Sequence, residues 1–453
     1  MNVDVVIVGG GIAGLAAAYE LQTRGKSFVI LERAARTGGV IISETVGDFV
    51  VDGGPDSLLT QKPEGIALCE QLGIASRLVP TRPPRLAYIQ RGGRLHALPA
   101  NSVLGIPTRV GPFLRTGLFT WAGKMRMAAE MFVPPRKNQG DESIGSFIRR
   151  RFGDEAVDYL AEPLLAGIHA GDVDRLSIHA LFPRFVETER KHGSLLRAFR
   201  RQRQPPAPDG VFRSFPNGLS ELVEALTHAL PPASIRLGVA ASKLSTAPLG
   251  VDGTDGRTYL GRAVIVTSPA YVTADLVAPI DAELARLCRE IPYASSGTIA
   301  LAFPRAAVAH PLNGSGFVVP RLEKTGIMAA SWLSSKWPHR APEGQVLMRA
   351  FVGGARDPGA LDKNDEDLVA LALSALRPLL GITGDPLLTR VYRFERKSAQ
   401  HDVGHLDRMA AIDKVLASHP GLYVTGSGFR GVGIPDCVAD ARATAKRIAE
   451  CLS

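Results

Sequence analysis

Hydrophobic and polar positions follow two periods along this chain of 453 residues, and its first segment shows both. Val5, Val6, Ile7 and Val8 form an unbroken β-branched run, the pattern of a strand covered on both faces of a parallel sheet. Residues 12–24 then carry apolar side chains at helical spacing, and Gly25 supplies a stop. A second apolar run at 28–31 ends on Glu32. The same signals predict a strand over 85–89, a helix over 221–230 and strands over 235–239 and 263–267 that resume the first sheet. Residues 141–203 read as helices separated by glycine turns. Strands over 297–303, 316–319 and 346–352, with helices over 283–288 and 366–380, predict a second, mixed sheet. A strand over 422–425, a glycine turn over 426–436 and an amphipathic helix over 437–451 close the chain. The expected division is one α/β domain made from 1–84, 205–272 and 396–453, a second mixed-sheet domain at 273–395, and a helical insertion at 85–204. The proline-rich stretch 200–210 marks one joint.

The turn between the first strand and helix carries the first chemistry. Gly9, Gly11 and Gly14 stand at GxGxxG spacing, which reads as a dinucleotide loop. Gly9 permits the tight turn, Gly11 lets backbone approach a pyrophosphate, and Gly14 brings helix and sheet together. The helix N-terminus presents unpaired N–H groups to the diphosphate. Glu32 lies where a carboxylate binds the ribose hydroxyls, and an acid there argues against NADP.

Composition narrows the class. With 45% hydrophobic and 21% charged residues the chain is that of a folded globular protein. The strand motif begins at residue 3, so no targeting peptide is expected ahead of it, and no apolar run is long enough to span a bilayer. Cys69, Cys288, Cys437 and Cys451 form no CxxC pair, so neither a metal site nor a disulfide framework is expected, and a reducing, cytoplasmic location fits. The net charge is +9, and residues 91–203 carry 19 Lys and Arg against 11 Asp and Glu. Within them, 104–133 interleaves Phe113, Leu114, Leu118, Phe119, Trp121, Met125, Met127, Met131 and Phe132 with Arg109, Arg115, Lys124 and Arg126. That pattern suits a basic amphipathic helix pair lying on an anionic membrane surface, or equally a helical subdomain whose apolar residues are core. No nucleic-acid motif accompanies the charge.

The motifs together resemble a known family. GGGIAGLAAAYEL, the Gly38-Gly39 pair and DGGPDS at 52–57 are similar to the flavin-containing amine oxidase and protoporphyrinogen oxidase superfamily, in which these turns run along FAD. Val40 departs from it, where many members have arginine. LLAGIHAGDVDRLS at 164–177 resembles the porphyrinogen oxidase segment that approaches flavin and substrate, with Gly167 and Gly171 in a functional loop and His169 as a cavity wall. GFRGVGIPDC at 428–437 resembles that family's last motif. The resemblance covers essentially the whole chain. It implies an α/β fold with a Rossmann-like FAD-binding domain, a mixed-sheet substrate domain and a helical insertion. It places FAD at Gly9, Gly11, Gly14, Glu32, Arg33, Gly38, Gly39, Gly54, Pro55, Asp56, Ser57, Val239, Gly426, Gly433 and Ile434. Substrate falls at Arg85, Gly167, Gly316, Val318 and Phe351, with Arg85 holding a propionate.

The resemblance implies an oxygen-dependent protoporphyrinogen oxidase, in which flavin N5 accepts hydride from a bridge carbon. A coproporphyrinogen III oxidase is the alternative, and a flavin amine oxidase a further one. Amine oxidases of the superfamily carry lysine near flavin N5, and the matching stretch 297–301 puts Leu301 there. Residues 393–405, RFERKSAQHDVGH, keep Arg393, Gln400, Val403, Gly404 and His405 of the family pattern R-W-x-x-A-M-P-Q-Y-x-V-G-H but replace its apolar centre. The expected partners are the tetrapyrrole and O2, with peripheral membrane contact, a homodimer and the next enzyme of haem synthesis as candidates. The sequence names no general acid or base, and no metal or nucleic acid is expected.

Overall fold

The computed structural model describes all residues except 99–101, 104, 105, 108, 109, 139, 202–208 and 453. The apolar run at the start of the chain becomes the strand Asn2–Val8, paired in parallel with Phe28–Glu32 and with Thr258–Val266. The strand order of this first sheet is Ile235–Leu237, Phe28–Glu32, Asn2–Val8, Thr258–Val266, Leu249–Gly253, Ala241–Thr246, and Leu422–Val424 also pairs with Thr258–Val266. Alternate side chains face two apolar layers. Val5 and Ile7 pack on the helices Ile12–Thr23, Ser220–Ala229 and Ile434–Cys451, while Val6 and Val8 pack on Ala270–Val277, Ala282–Arg289 and His405–Leu416. Burial on both faces is why these strands lack polar alternation.

The second sheet orders its strands Leu388–Ala399, Tyr293–Pro304, Gln345–Gly353, Ala329–Ser331, Gly316–Val318, Ala87–Arg91, Arg94–Ala97. The last two correct the boundary drawn at 84/85, because residues 87–97 pair into this sheet and not into the helical insertion. Leu388–Ala399 likewise runs through the 395/396 boundary. One sheet face packs on the helix Asp365–Leu380. The other turns toward the first domain.

The insertion holds the helices Val110–Arg115, Trp121–Ala128, Ile144–Phe152, Glu162–His169, Ile178–Leu181, Pro183–His192 and Leu195–Arg201. Its polar centre is Arg151, buried between Glu130 and Glu189. The two readings of 104–133 divide between side chains. Phe113, Leu118, Phe119 and Met127 are core, whereas Trp121, Met125 and Phe132 are 68%, 69% and 80% exposed. Leu104 and Arg109 lie outside the described residues, as does most of the proline-rich joint. Among the described residues no helix is long and apolar enough to cross a membrane.

Candidate functional site

The glycine loop stands at the carboxyl ends of the first sheet. Gly9 has φ +108 and lies against Thr267, where a Cβ would come within 2.6 Å of Oγ1. A Cβ on Gly14 would overlap the Gly9 carbonyl, so the helix can approach the turn only without a side chain there. The Cβ direction of Gly11 is different. Among the described residues no neighbouring atom lies within 4 Å of it, at the N-cap of Ile12–Thr23. Glu32 accepts from Gly10 N at 2.6 Å and from Ala34 N at 2.8 Å, which holds the carboxylate beside the loop with acceptor capacity to spare. Gly38 N donates to Gly10 O at 2.8 Å, and Gly39 approaches the Gly11 Cα. Arg36 caps this second turn through the Thr37, Gly39 and Ile41 carbonyls. Arg33 is exposed next to Glu32. Val239 donates its N–H to the Glu32 carbonyl at 2.9 Å.

Facing the loop, the second sheet presents two rows of cross-strand neighbours. Ile89, Val318, Ala329, Phe351, Thr298 and Tyr392 form one row, and Ala87, Gly316, Ser331, Arg349, Ala300 and Arg390 the next. Thr298 Oγ1 donates to the Gly53 carbonyl at 2.7 Å, and Arg349 reaches the Asp52 and Gly54 carbonyls. The segment Gly53 to Ser57 is thus clamped between the lobes. Asp56 takes Lys336 at 2.9 Å and Arg349 at 3.5 Å. Burial alone would raise its carboxyl pKa, but the two cations outweigh it and hold the group below the usual range. Its carboxylate therefore serves the lobe interface. Pro55 and Ser57 flank it, and Ser57 Oγ donates to it at 3.0 Å. Beneath, Asp52 and Arg340 form an ion pair at 2.9 Å with both side chains fully buried.

The C-terminal turn completes the enclosure. Gly426 lies against the Thr267 carbonyl and Ala13, beside the first glycine loop. The last helix begins at Ile434, three residues earlier than expected, because Pro435 suits a first helical turn whose N–H groups have no partners anyway. Gly433 is its N-cap. Lys62 pairs with Asp436 of that turn at 2.6 Å. The same two charges act on His169, whose imidazole pKa is pushed down to about 4, first by burial and then by Lys62. It is neutral near pH 7. Its buried Nδ1 has no hydrogen-bond partner among the described residues. Gln400 Nε2 donates to the His169 carbonyl at 3.0 Å.

These elements bring together Gly167, Val318 and Phe351. Gly167 lies within the helix Glu162–His169 and not in a loop, where a Cβ would meet Val318 at 3.2 Å and Ala329 at 3.7 Å. The loop starts at Ala170, and Ala166, Ala170, Met328 and Phe351 form one apolar cluster. Arg85 precedes the strand, which starts at Ala87, and its described hydrogen bonds go to the Thr81 carbonyl and hydroxyl at 3.0 and 3.1 Å. Leu301 is a further correction. It packs toward Asp365–Leu380, whereas Thr298 and Ala300 face the first domain, so the lysine comparison does not apply at Leu301. Lys62 and Arg349 escaped notice in the sequence because no local motif marks them.

The residues present fit FAD: open space over Gly11, a carboxylate at the ribose position and a second helix N-terminus at Gly433 across from the loop. The model of the family described as flavin containing amine oxidoreductase matches residues 12–449. The chain is 37% identical to coproporphyrinogen III oxidase of Bacillus subtilis, over 97% of this chain and 96% of that one. It is 27% identical to protoporphyrinogen oxidase 1, chloroplastic, of Arabidopsis thaliana, over 98% and 88%. A crystal structure from Exiguobacterium sp. 255-15, of a candidate protoporphyrinogen oxidase, superposes with TM-score 0.89 at 33% identity, covering 99% and 98%. Loop geometry and relatives agree, and the chain belongs to the flavin-containing amine oxidoreductase family as an FAD-binding oxidoreductase.

Proposed function

We propose that this protein oxidises coproporphyrinogen III to coproporphyrin III, with O2 as final acceptor. The observation that carries the reading is an apolar wall packed from Gly167, Val318, Ala329, Met328 and Phe351, with neutral His169 and cationic Lys62 nearby. A flat apolar macrocycle with anionic arms suits such a wall. The 37% likeness to a coproporphyrinogen III oxidase, against 27% to a protoporphyrinogen oxidase, supports the tetrapropionate substrate. This reverses the order reached from motifs alone, which both enzyme types share.

Six electrons leave in three steps, each removing a hydride from a bridge carbon and a proton from a pyrrole nitrogen. What bound FAD supplies is the two-electron acceptor, flavin N5. The protein positions. The helix Glu162–His169 and the row through Val318 and Phe351 hold the macrocycle and exclude water. Purified protein with coproporphyrinogen III in air should give coproporphyrin III by mass, and a rate no higher than without enzyme would sink the reading.

Lys62 is the cation we assign to a propionate. Lys62→Ala should raise KM roughly fivefold, since an exposed pair is worth about 1 kcal/mol, and leave kcat nearly unchanged. The effect should vanish for the tetramethyl ester. Equal losses on acid and ester would place Lys62 in packing instead.

Peripheral lipid contact by Trp121, Met125 and Phe132, with basic Arg115 close by in sequence, is supported by their exposure. Flotation with anionic liposomes at low salt should carry the protein, and its absence from the lipid fraction would remove this reading.

A further inference from the structure

The strand Leu388–Ala399 departs from regular pairing at one place. Ser296 pairs with Phe394 and Ala294 with Ser398, so residues 395–397 stand opposite the single Ser295. This is a wide bulge, and bulges re-aim side chains. Here Arg396 takes φ +48, donates its N–H to Ser295 Oγ at 3.0 Å, and lays its guanidinium 3.9 Å over the Tyr271 ring. Tyr271 meets Tyr293 edge-on, and Tyr293 Oη accepts from Ala270 N at 2.8 Å. The bulge is therefore pinned to the start of the helix Ala270–Val277, next to the loop whose Thr267 and Ser268 border Gly9. It sits at the carboxyl ends of the first sheet, over the dinucleotide loop.

Lys397 is the residue so re-aimed. It is half-buried, and the charges that act on it are Arg33 and Glu32, from the end of Phe28–Glu32. Burial is the larger influence and lowers its pKa. Yet its ammonium makes no hydrogen bond or ion pair with any described residue, Glu32 acting on it only through its charge. A half-buried ammonium with no partner is costly unless an anion completes it.

We infer that the bulge at 395–397 delivers Lys397 as a cation for the diphosphate of FAD, facing the helix N-terminus at Gly11 from the side of the second lobe. The diphosphate is then gripped from two sides, by backbone N–H groups at the helix start and by an ammonium from Leu388–Ala399. This rests on FAD binding and is independent of which porphyrinogen is oxidised.

FAD release from the holoprotein, followed as the rise of flavin fluorescence on dilution, tests the inference. Lys397→Ala should release FAD about tenfold faster, as loss of one charge-assisted bond requires, and added salt should speed release less in the variant than in the parent. Lys397→Arg should restore slow release. ADP should compete with rebinding of FAD about tenfold less well in Lys397→Ala, whereas adenosine should compete equally in both. Equal release from parent and Lys397→Ala would overturn the assignment. So would equal weakening of ADP and adenosine, which would mean that Lys397 acts on the ribose end through Glu32. Porphyrinogen turnover enters none of these readouts, so failure of the substrate assignment would leave them standing.

Discussion

Gly11→Val yields folded, colourless protein. The backbone at Gly11 is extended, with φ −73 and ψ −178, a conformation valine adopts readily, and among the described residues no neighbouring atom lies within 4 Å of its Cβ direction. The substitution therefore leaves the fold alone and fills the space over the helix N-terminus that the diphosphate needs. An affinity loss on the order of a hundredfold, about 2.8 kcal/mol, is expected. The neighbouring position behaves otherwise. Gly14→Val drives a side chain into the Gly9 carbonyl and should reduce soluble yield outright. Flavin absorbance per chain, with circular dichroism for the fold, separates the two, and full flavin absorbance in Gly11→Val would refute the role of the loop.

Asp52→Ala loses about 3–5 kcal/mol of stability, the cost of leaving a buried charge unpaired. Asp52 and Arg340 are both wholly buried, and Arg340 also donates to the Phe215 and Pro216 carbonyls and to Ser214 Oγ. The other carboxylate oxygen accepts from Ser43 Oγ at 2.6 Å and Leu219 N at 3.0 Å. Three chain segments and both lobes meet at this carboxylate. Removing it strands the guanidinium and loosens Gly53 to Ser57 directly above. Urea unfolding followed by tryptophan fluorescence should show the shift, together with lower flavin content. A midpoint equal to the parent would show that water reaches the pair.

What could be read from the sequence was what the local backbone dictates. The loop at Gly9, Gly11 and Gly14 is set by sterics within a few residues, and the structure places the expected strands and helix around it. Three strands of the second sheet, over 297–303, 316–319 and 346–352, were likewise legible from apolar runs, whereas Arg94–Ala97, Ala329–Ser331 and Leu388–Ala399 were not. Which way their side chains face was not. Leu301 and Thr298 sit on opposite faces of one strand, and the face toward the flavin lobe is fixed by pairing with Gln345–Gly353 and by contact with Gly53. Gly167 read as a loop glycine because a helix usually disfavours glycine. The reason it is there, close packing on Val318, lies 151 residues away. The ion pairs of Asp56 are hidden for the same reason, since Lys336 and Arg349 come from the far lobe. Arg85 was chosen from a resembling segment, whereas Lys62 gains its position only when the last helix closes over it.

The most direct test is the ratio of kcat/KM for coproporphyrinogen III over protoporphyrinogen IX, measured side by side on the purified holoprotein. Both substrates share the macrocycle and the bonds broken, and they differ in two propionates against two vinyl groups. A ratio of about ten or more, falling toward one in Lys62→Ala, is the result expected if a charged rim selects the tetracarboxylate. A ratio below one, or oxidation of neither porphyrinogen by protein that carries its full complement of FAD, would contradict the account.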